Sequence, residues 1–419
     1  RTDVSESGAR LARRPGGGHL LAFVAAVVFV DTALFGVIAP LLPFYSDELG
    51  LSKTEAGVLV ASFPAGVFAG AFPAGAAVAR FGAKPTAILG LALFAASSLV
   101  FGFANDIALL DLARFVQGAG SAASWTAGLA WLARQSPPER RGERLGIAFS
   151  GALAGSLIGP ALGAAARGAD PAIVFSLAAA AGVGLIAWSL RVPAPAPSRD
   201  EAGWGSALRE RALLPGAGVI LMVGLLFGIV EVLLPLRFDE LGAGGAVIGG
   251  AFAIAALAEG VTGPLLGRLA DRIGPIRPVR WSLAGGILLA FVLPLPESIP
   301  LLVLLCVVLG PIEGGMFVPA MKMLADGAER ARLDQGYAFA IFNFTWALTT
   351  AAGSAGGGAI ADVSSDTVAY ASIAALLALG LIASLRAASA SPAFRPSPGP
   401  SPSPSPSPSP SSSSSARGR

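Results

Sequence analysis

The stretch Leu42-Pro-Phe-Tyr-Ser-Asp-Glu-Leu-Gly50 occurs a second time, slightly changed, as Leu234-Pro-Leu-Arg-Phe-Asp-Glu-Leu-Gly242. The two copies are 192 positions apart. The same shift, with no gap, matches Gly75 with Gly267, Arg80 with Arg272, and Gly82 with Gly274. A register held over that length indicates an internal repeat. We therefore expect two halves of the same topology.

The composition indicates a membrane protein. Of the 419 residues 54% are hydrophobic and only 13% are charged, and the mean hydropathy is +0.70. A helix of about 20 residues spans a hydrocarbon core of roughly 30 Å. Twelve apolar runs are long enough to be such helices: 20–44, 56–79, 85–104, 107–132, 144–166, 171–190, 213–236, 246–269, 279–296, 299–323, 335–360 and 367–387. The predicted fold is an all-α membrane protein of twelve transmembrane helices in two pseudo-symmetric six-helix bundles.

The distribution of basic residues predicts the orientation. With the N-terminus inside, 25 of the 29 Lys and Arg fall on the inner side of the membrane. Both termini should therefore be cytoplasmic, in a plasma (inner) membrane. The predicted segments are an N-terminal segment at 1–19, a bundle at 20–190, a cytoplasmic linker at 191–212, a bundle at 213–388, and a Ser/Pro-rich tail at 389–419. We expect the tail to be disordered, either passive or available to a partner.

Several function classes are disfavoured by the residues present. The basic residues form no patch interleaved with aromatics, which argues against nucleic-acid binding. Cys306 and His19 are the only residues of their types, so a His/Cys metal site is not expected, and Cys306 is predicted to be a buried small hydrophobe. No HExxH or GxSxG motif is present to support an intramembrane enzyme. We expect no cofactor.

Five charged residues interrupt the apolar runs: Asp31, Arg114, Glu231, Glu259 and Glu313. A charge at the bilayer centre costs about 2.5–3.5 kcal/mol on insertion scales, so such residues usually face the bundle interior or a water-filled cavity. A low dielectric favours the protonated form of an acid, while a nearby cation favours the ionised form. Such a site can exchange a proton for a cation. The alternative is that these residues are structural ion pairs that fix helix packing.

The loops after helices two and eight carry a shared pattern. The first reads Gly75-Ala-Ala-Val-Ala-Arg-Phe-Gly-Ala-Lys84 and the second Gly267-Arg-Leu-Ala-Asp-Arg-Ile-Gly274. With the two-fold repeat, they resemble the GxxxDRxG loops of the major facilitator superfamily, in particular its 12-helix drug:proton antiporters. The resemblance implies a cytoplasmic latch between the halves, made here by Gly75, Arg80, Gly82, Gly267, Asp271, Arg272 and Gly274. Ala79 stands where the first copy should have an acid, so the first latch departs from the pattern.

Helices four and five extend the resemblance. Helix four reads Leu110-Asp-Leu-Ala-Arg-Phe-Val-Gln-Gly-Ala-Gly-Ser-Ala122, which is similar to a family motif that links its Arg, here Arg114, to proton transfer. Helix five carries a run similar to the motif typical of antiporters, with Gly155, Gly159, Pro160 and Gly163. Small residues four apart also allow close helix packing, which would explain the second run almost as well.

The first, seventh and tenth helices resemble those of vesicular amine transporters and bacterial multidrug exporters. The matching features are Asp31 before a VxxPxxP-like run, Glu231 before Pro235, and Glu313 before Met316 and Pro319. In that fold helices one, four, seven and ten line the central cavity. Phe63 and Asn343 stand where the amine transporters have a Lys and an acid, so monoamine specificity is not carried over.

These features predict a proton-coupled antiporter that exports a small amphipathic or cationic compound. Six aromatic side chains could stack on a lipophilic cation: Phe35, Trp125, Phe227, Phe317, Phe342 and Trp346. Gln117 and Asn343 are polar cavity candidates. The expected partners are a small-molecule substrate, protons and the lipid bilayer, with no nucleic acid, and the expected state is a monomer. Two alternatives remain: an uptake carrier or uniporter for sugars or organic acids, and a non-transporting membrane sensor or scaffold.

Overall fold

The computed structural model describes residues 17–137, 140–193, 210–333 and 335–390. The first sixteen residues of the predicted N-terminal segment, residues 194–209 of the predicted linker, and residues 391–419 of the predicted tail lie outside this description. Within the described ranges twelve long helices follow one another: α1 (Gly17–Gly36 and Ile38–Leu49), α2 (Lys53–Phe81), α3 (Ala83–Phe103), α4 (Ile107–Gln135), α5 (Arg141–Gly168), α6 (Pro171–Leu190), α7 (Leu214–Glu240), α8 (Gly245–Ile273), α9 (Ile276–Val292), α10 (Ile299–Arg330), α11 (Gln335–Val363) and α12 (Asp366–Ala390). The prediction of an all-helical, twelve-helix membrane fold is confirmed.

Nine of these described helices are long and apolar enough to cross a membrane. The other three are α4, which carries Asp111 and Arg114, the 17-residue α9, and α11, which is rich in Gly, Ser and Thr. All three pack against neighbouring helices. An even number of helices places residues 17 and 390 on one face of the bundle, here called the terminal face. The opposite face, which carries the connections at 50–52 and 241–244, is called the far face.

Local sequence signals fix the helix ends. Ser52 caps α2 on the far face, where its hydroxyl accepts from the Glu55 backbone N–H and the Glu55 carboxylate accepts from the Ser52 backbone N–H. On the terminal face, α2 ends at Gly82 and α8 at Gly274, with φ angles of +92° and +85°. Only glycine adopts such angles without strain. The final glycine of each GxxxDRxG-like loop is therefore required by the backbone.

A stripe of glycines brings α5 against α1. A Cβ atom added to any of the four would lie only 2.2 to 2.7 Å from a backbone carbonyl oxygen of α1. The pairs are Gly151 with Ala25, Gly155 with Phe29, Gly159 with Ala33, and Gly163 with Val37. The predicted close packing through small residues four apart is therefore present in the fold. In the second half, Gly353 of α11 meets the Leu225 carbonyl of α7 in the same way, at 2.4 Å.

The two halves, α1–α6 and α7–α12, meet along two equivalent helix pairs. Gly57 of α2 packs against α11, where an added Cβ would lie 2.6 Å from the Ser354 carbonyl oxygen. Gly249 of α8 packs against α5, where the corresponding distance to the Pro160 oxygen is 2.5 Å. Positions 57 and 249 are related by the same shift of 192 that revealed the repeat. The internal symmetry of the sequence is thus repeated in how the halves contact each other.

Candidate functional site

Polar contacts join the halves on the far face. Lys53 Nζ lies 2.7 Å from Asp366 Oδ1 and 3.2 Å from Glu240 Oε1. Arg167 Nη2 lies 2.6 Å from Asp239 Oδ1. Asp239 and Glu240 belong to the second copy of the repeated Asp-Glu-Leu-Gly sequence, so this copy supplies acids that bind the first half. The Thr54 hydroxyl adds a fourth contact, donating to Asp362 Oδ2 at 2.7 Å.

A cavity lies between the halves near the middle of the helices. It is lined by side chains of α1, α5, α7, α8 and α10 and leaves about 110 Å³ of space that water-sized molecules can enter. Six of the residues singled out from the sequence line it: Phe35, Pro160, Phe227, Glu231, Glu259 and Glu313. Several other residues line it that no sequence motif marked, including Thr32, Ser156 and Phe252. Cys306 is buried as expected, and it also lines this cavity.

Two of the cavity acids are buried without a partner. Glu231 and Glu313 are 6% and 8% exposed, and among the described residues Glu231 Oε2 and Glu313 Oε1 have no hydrogen-bond partner. A buried polar atom normally has a partner, because leaving it unpaired costs the full desolvation penalty. The unpaired oxygens are therefore candidate positions for a bound proton or ligand.

The third acid, Glu259, sits where α8 crosses α10. A Cβ added to Gly310 would lie 2.4 Å from the Ala255 carbonyl oxygen, and one added to Gly314 would lie 3.0 Å from Glu259 Cγ. Because α8 and α10 approach so closely, Glu259 lies beside the α10 segment that carries Glu313. Its side chain is partly exposed to the cavity.

Arg114 is fully buried in the first half. Its Nη1 donates to Gln117 Oε1 at 2.8 Å, and Gln117 Nε2 donates to Ser98 Oγ at 2.9 Å. Arg114 Nε and Nη2 have no partner in the described structure. The guanidinium is close enough to Glu231 and Asp31 to interact with them electrostatically. A buried cation thus lies in the first half opposite the acids of the second.

An aromatic cluster of Phe35, Phe63, Phe227 and Trp346 separates Arg114 from the cavity. The Arg114 guanidinium lies 4.8 Å from the centre of the Phe63 ring, and the Phe63 and Phe35 ring centres are 5.3 Å apart. Phe35 stacks on Phe227 at 6.1 Å with an interplanar angle of 18°, and Trp346 contacts both. Phe63 was noted in the sequence only as a departure from the amine-transporter pattern. Its place in the cluster follows from the close crossing of α2 and α4, where a Cβ on Gly118 would lie 2.0 Å from the Phe63 carbonyl oxygen.

Asp31 is 7% exposed and lies apart from the residues that line the central cavity. It lines a smaller pocket inside the first half with Leu91, Phe94 and Ser124, and its neighbours on α4 include Trp125. Within the part of the chain that the structure describes, neither Asp31 Oδ1 nor Trp125 Nε1 has a hydrogen-bond partner. The structure therefore places Asp31 beside Trp125 and the three glutamates in the central cavity, with Arg114 within electrostatic reach of both Asp31 and Glu231.

The remaining candidates lie outside the cavity lining. Phe317 and Phe342 pack edge to face at 4.9 Å. Asn343 is partly exposed on α11. Among the latch residues of the terminal face, Asp271 pairs with Lys322 at 3.1 Å inside the second half, and exposed Arg80 lies over the neighbouring Phe81 ring. Gly75 and Gly267 lie within α2 and α8, and Arg272 lies in the last turn of α8.

The sequence model of the Major Facilitator Superfamily matches residues 21–333 and 217–417. Multidrug resistance protein 2 of Bacillus subtilis is 29% identical over 119 residues, which are 28% of this chain and 30% of that protein. Probable vesicular acetylcholine transporter-B of Danio rerio is 33% identical over 140 residues, which are 31% of this chain and 28% of that protein. The matches thus span about three tenths of the length of these curated relatives. A crystal structure of a bacterial homologue of the human lysosomal transporter Spinster, in an inward-facing and occupied conformation, superposes with a TM-score of 0.72 at 13% identity, covering 90% of this chain and 97% of that one.

Proposed function

Because the chain belongs to the Major Facilitator Superfamily, we propose that this multi-pass membrane transporter is a proton-coupled antiporter that exports small amphipathic or cationic compounds by alternating access. The observation that carries the proposal is the pair of buried, unpartnered carboxylates, Glu231 and Glu313, in the cavity between the halves. Each needs either a proton or a cation to offset the cost of its burial.

Competition for these carboxylates couples the two fluxes. A proton that binds Glu313 removes the negative charge that attracts a cationic substrate, so protonation releases the substrate. Loss of the proton on the other side restores the attraction. Exchange of one proton for one monovalent cation moves no net charge, so the pH difference across the membrane drives it, at about 1.4 kcal/mol per pH unit.

Arg114 and Asp31 support the coupling from the first half. Arg114 lies behind the aromatic cluster, and its positive charge acts on Glu231 across the interface between the halves. In this role Asp31 is a neighbour that responds to the charge on Arg114, while the glutamates contact the substrate.

The contacts between the halves support rocking about the central cavity. The polar contacts of the far face hold one closed state, and the equivalent crossings at Gly57 and Gly249 provide two matched contact surfaces about which the halves can turn. The positive-inside distribution supports a terminal face in the cytoplasm, with the transporter in the plasma membrane. We expect one chain to form a complete transport unit, because the cavity is built from both halves of the same chain.

The test is transport by the purified full chain in proteoliposomes. With an imposed pH gradient, a fluorescent lipophilic cation should move opposite to the proton flux recorded by an internal pH dye. Glu313→Gln should lower gradient-driven cation flux about tenfold and weaken cation binding about tenfold, because the neutral amide, like the protonated acid, no longer attracts the cation. The control Glu297→Gln makes the same change in the exposed connection before α10 and should leave both quantities unchanged.

Two results would contradict antiport. Cation flux in the same direction as protons would indicate a symporter, and cation flux indifferent to the gradient would indicate a uniporter. Full coupling in Glu313→Gln would remove the proposed role of that side chain.

A further inference from the structure

The cavity contains one carboxylate more than the coupling mechanism uses. Glu231 and Glu313 are sufficient to exchange a proton for a single positive charge, whereas Glu259 is a third acid on the same cavity wall. No motif in the sequence assigned it a role. Within the part of the chain that the structure describes, no cation or hydrogen-bond donor contacts its carboxylate.

Helix packing alone does not account for Glu259. The side chain stands at the tight α8–α10 crossing, where Gly310 and Gly314 leave little space and an alanine would fit more easily. A charge held there incurs a desolvation cost with no protein partner to offset it. The unpartnered oxygens of Glu231 and Glu313 face the same cavity, so the polar groups converge on space that a ligand can enter.

The three carboxylates stand on three different helices, α7, α8 and α10. Glu313 is close enough to Glu259 and Glu231 to interact with both electrostatically. The described residues include no group of three His, Cys, Asp or Glu side chains placed to hold a metal ion. Separate carboxylates beside the stacked rings of Phe35 and Phe227 fit a ligand with an apolar body and two separated positive charges.

We propose that Glu259 is a specificity-determining residue that makes the cavity select amphipathic dications over monocations, with Glu259 binding the second positive charge. This inference rests on the proposed transport function and adds the substrate class. The lining described here offers no basic side chain that would repel the second charge.

The test compares two probes that differ in the second charge. Decamethonium carries a quaternary ammonium at each end of a ten-carbon chain, and decyltrimethylammonium carries only one. In equilibrium binding to the purified full chain, decamethonium should bind at least tenfold more tightly. Glu259→Gln should weaken decamethonium binding about tenfold and decyltrimethylammonium binding less than twofold. The control Glu297→Gln should change neither affinity.

The outcomes separate the two proposals. Proton-coupled transport of the monocation without any preference for decamethonium in the wild type would overturn the role of Glu259 and leave the antiporter intact. An equal loss of both affinities in Glu259→Gln would also overturn it, since it would indicate general disruption of the cavity. Binding of neither probe, with no cation-coupled proton flux, would overturn both proposals. Even if Glu259→Gln fails to fold, the wild-type affinities for decamethonium and decyltrimethylammonium still test whether the cavity prefers a dication.

Discussion

Removing the Lys53 ammonium should shift the transporter away from the state that is closed on the far face. Lys53 pairs with Asp366 at 2.7 Å and Glu240 at 3.2 Å, and both acids belong to the opposite half. When the halves separate on the far face, these contacts must break. Lys53→Met keeps most of the aliphatic side chain and deletes only the charge, so its effect measures the contacts themselves.

The free-energy cost of losing these ion pairs depends on how exposed their side chains are. The Lys53 and Asp366 side chains are 29% and 18% exposed, while Glu240 is 42% exposed and therefore well screened. Exposed pairs contribute about 0.2–1 kcal/mol, and breaking a fully buried pair costs about 3–5 kcal/mol. Because the Lys53 contacts are partly buried, losing them should cost the closed state about 1–2 kcal/mol. The balance between the two states should therefore move by roughly 5- to 30-fold.

The assay is labelling of a single cavity thiol from each side of the membrane. In a Cys306→Ala background, Ser156→Cys places the only thiol in the cavity lining. A membrane-impermeant maleimide should reach this thiol from the far face roughly 5- to 30-fold faster once Lys53→Met is added. Labelling from the terminal face should slow or stay unchanged.

Lys322→Met is the matched control. Lys322 pairs with Asp271 inside one half, so its loss should leave labelling from the far face unchanged. Equal far-face rates with and without Lys53→Met, in folded protein, would refute the idea that these contacts hold the closed state. Equal acceleration by the control would refute it as well, because the effect would then be general loosening.

Two further predictions test the packing and the buried cation. Gly249→Val should lower the thermal unfolding midpoint by several degrees, because the valine side chain would clash with the Pro160 carbonyl oxygen. The control Gly250→Val should change the midpoint little, because a Cβ at that position meets nothing within 4 Å. Differential scanning fluorimetry measures both midpoints. Arg114→Lys should reduce proton-driven cation flux in proteoliposomes at least tenfold, because an ammonium cannot reproduce the planar guanidinium contacts to Gln117 and the Phe63 ring. Wild-type flux in this variant would contradict the proposed role of Arg114 in coupling.

The fold could be predicted from the sequence because its signals are long and repeated. Predicted run 171–190 coincides with α6, and each of the twelve runs corresponds to a helix in the described residues. Most errors are at helix ends, as for α10, which continues to Arg330 rather than 323. The last turns of α10 are polar, so the end of the apolar run at 323 does not mark the end of the helix.

The cavity lining could be predicted only in part. Depth along a helix identified Asp31, Glu231 and Glu313 as buried charges, and all three are buried. Direction around the helix could not be predicted, because α1 is apolar on every side and its sequence marks no cavity face. The packing of α5 on α1 decides which side of α1 faces the cavity, and it places Thr32 and Phe35 there while Asp31 lines the smaller pocket.

The repeat is symmetric in its packing and asymmetric in its charges, and this combination suits the proposed exchange of protons for cations. Equivalent crossings at Gly57 and Gly249 give the halves matched contact surfaces, about which the proposed rocking would take place. The three cavity acids all belong to the second half, whereas Arg114 belongs to the first. A proton or cation that binds the glutamates therefore changes the electrostatic attraction between the halves. In the proposed mechanism, binding in the cavity and movement of the halves are linked through that attraction.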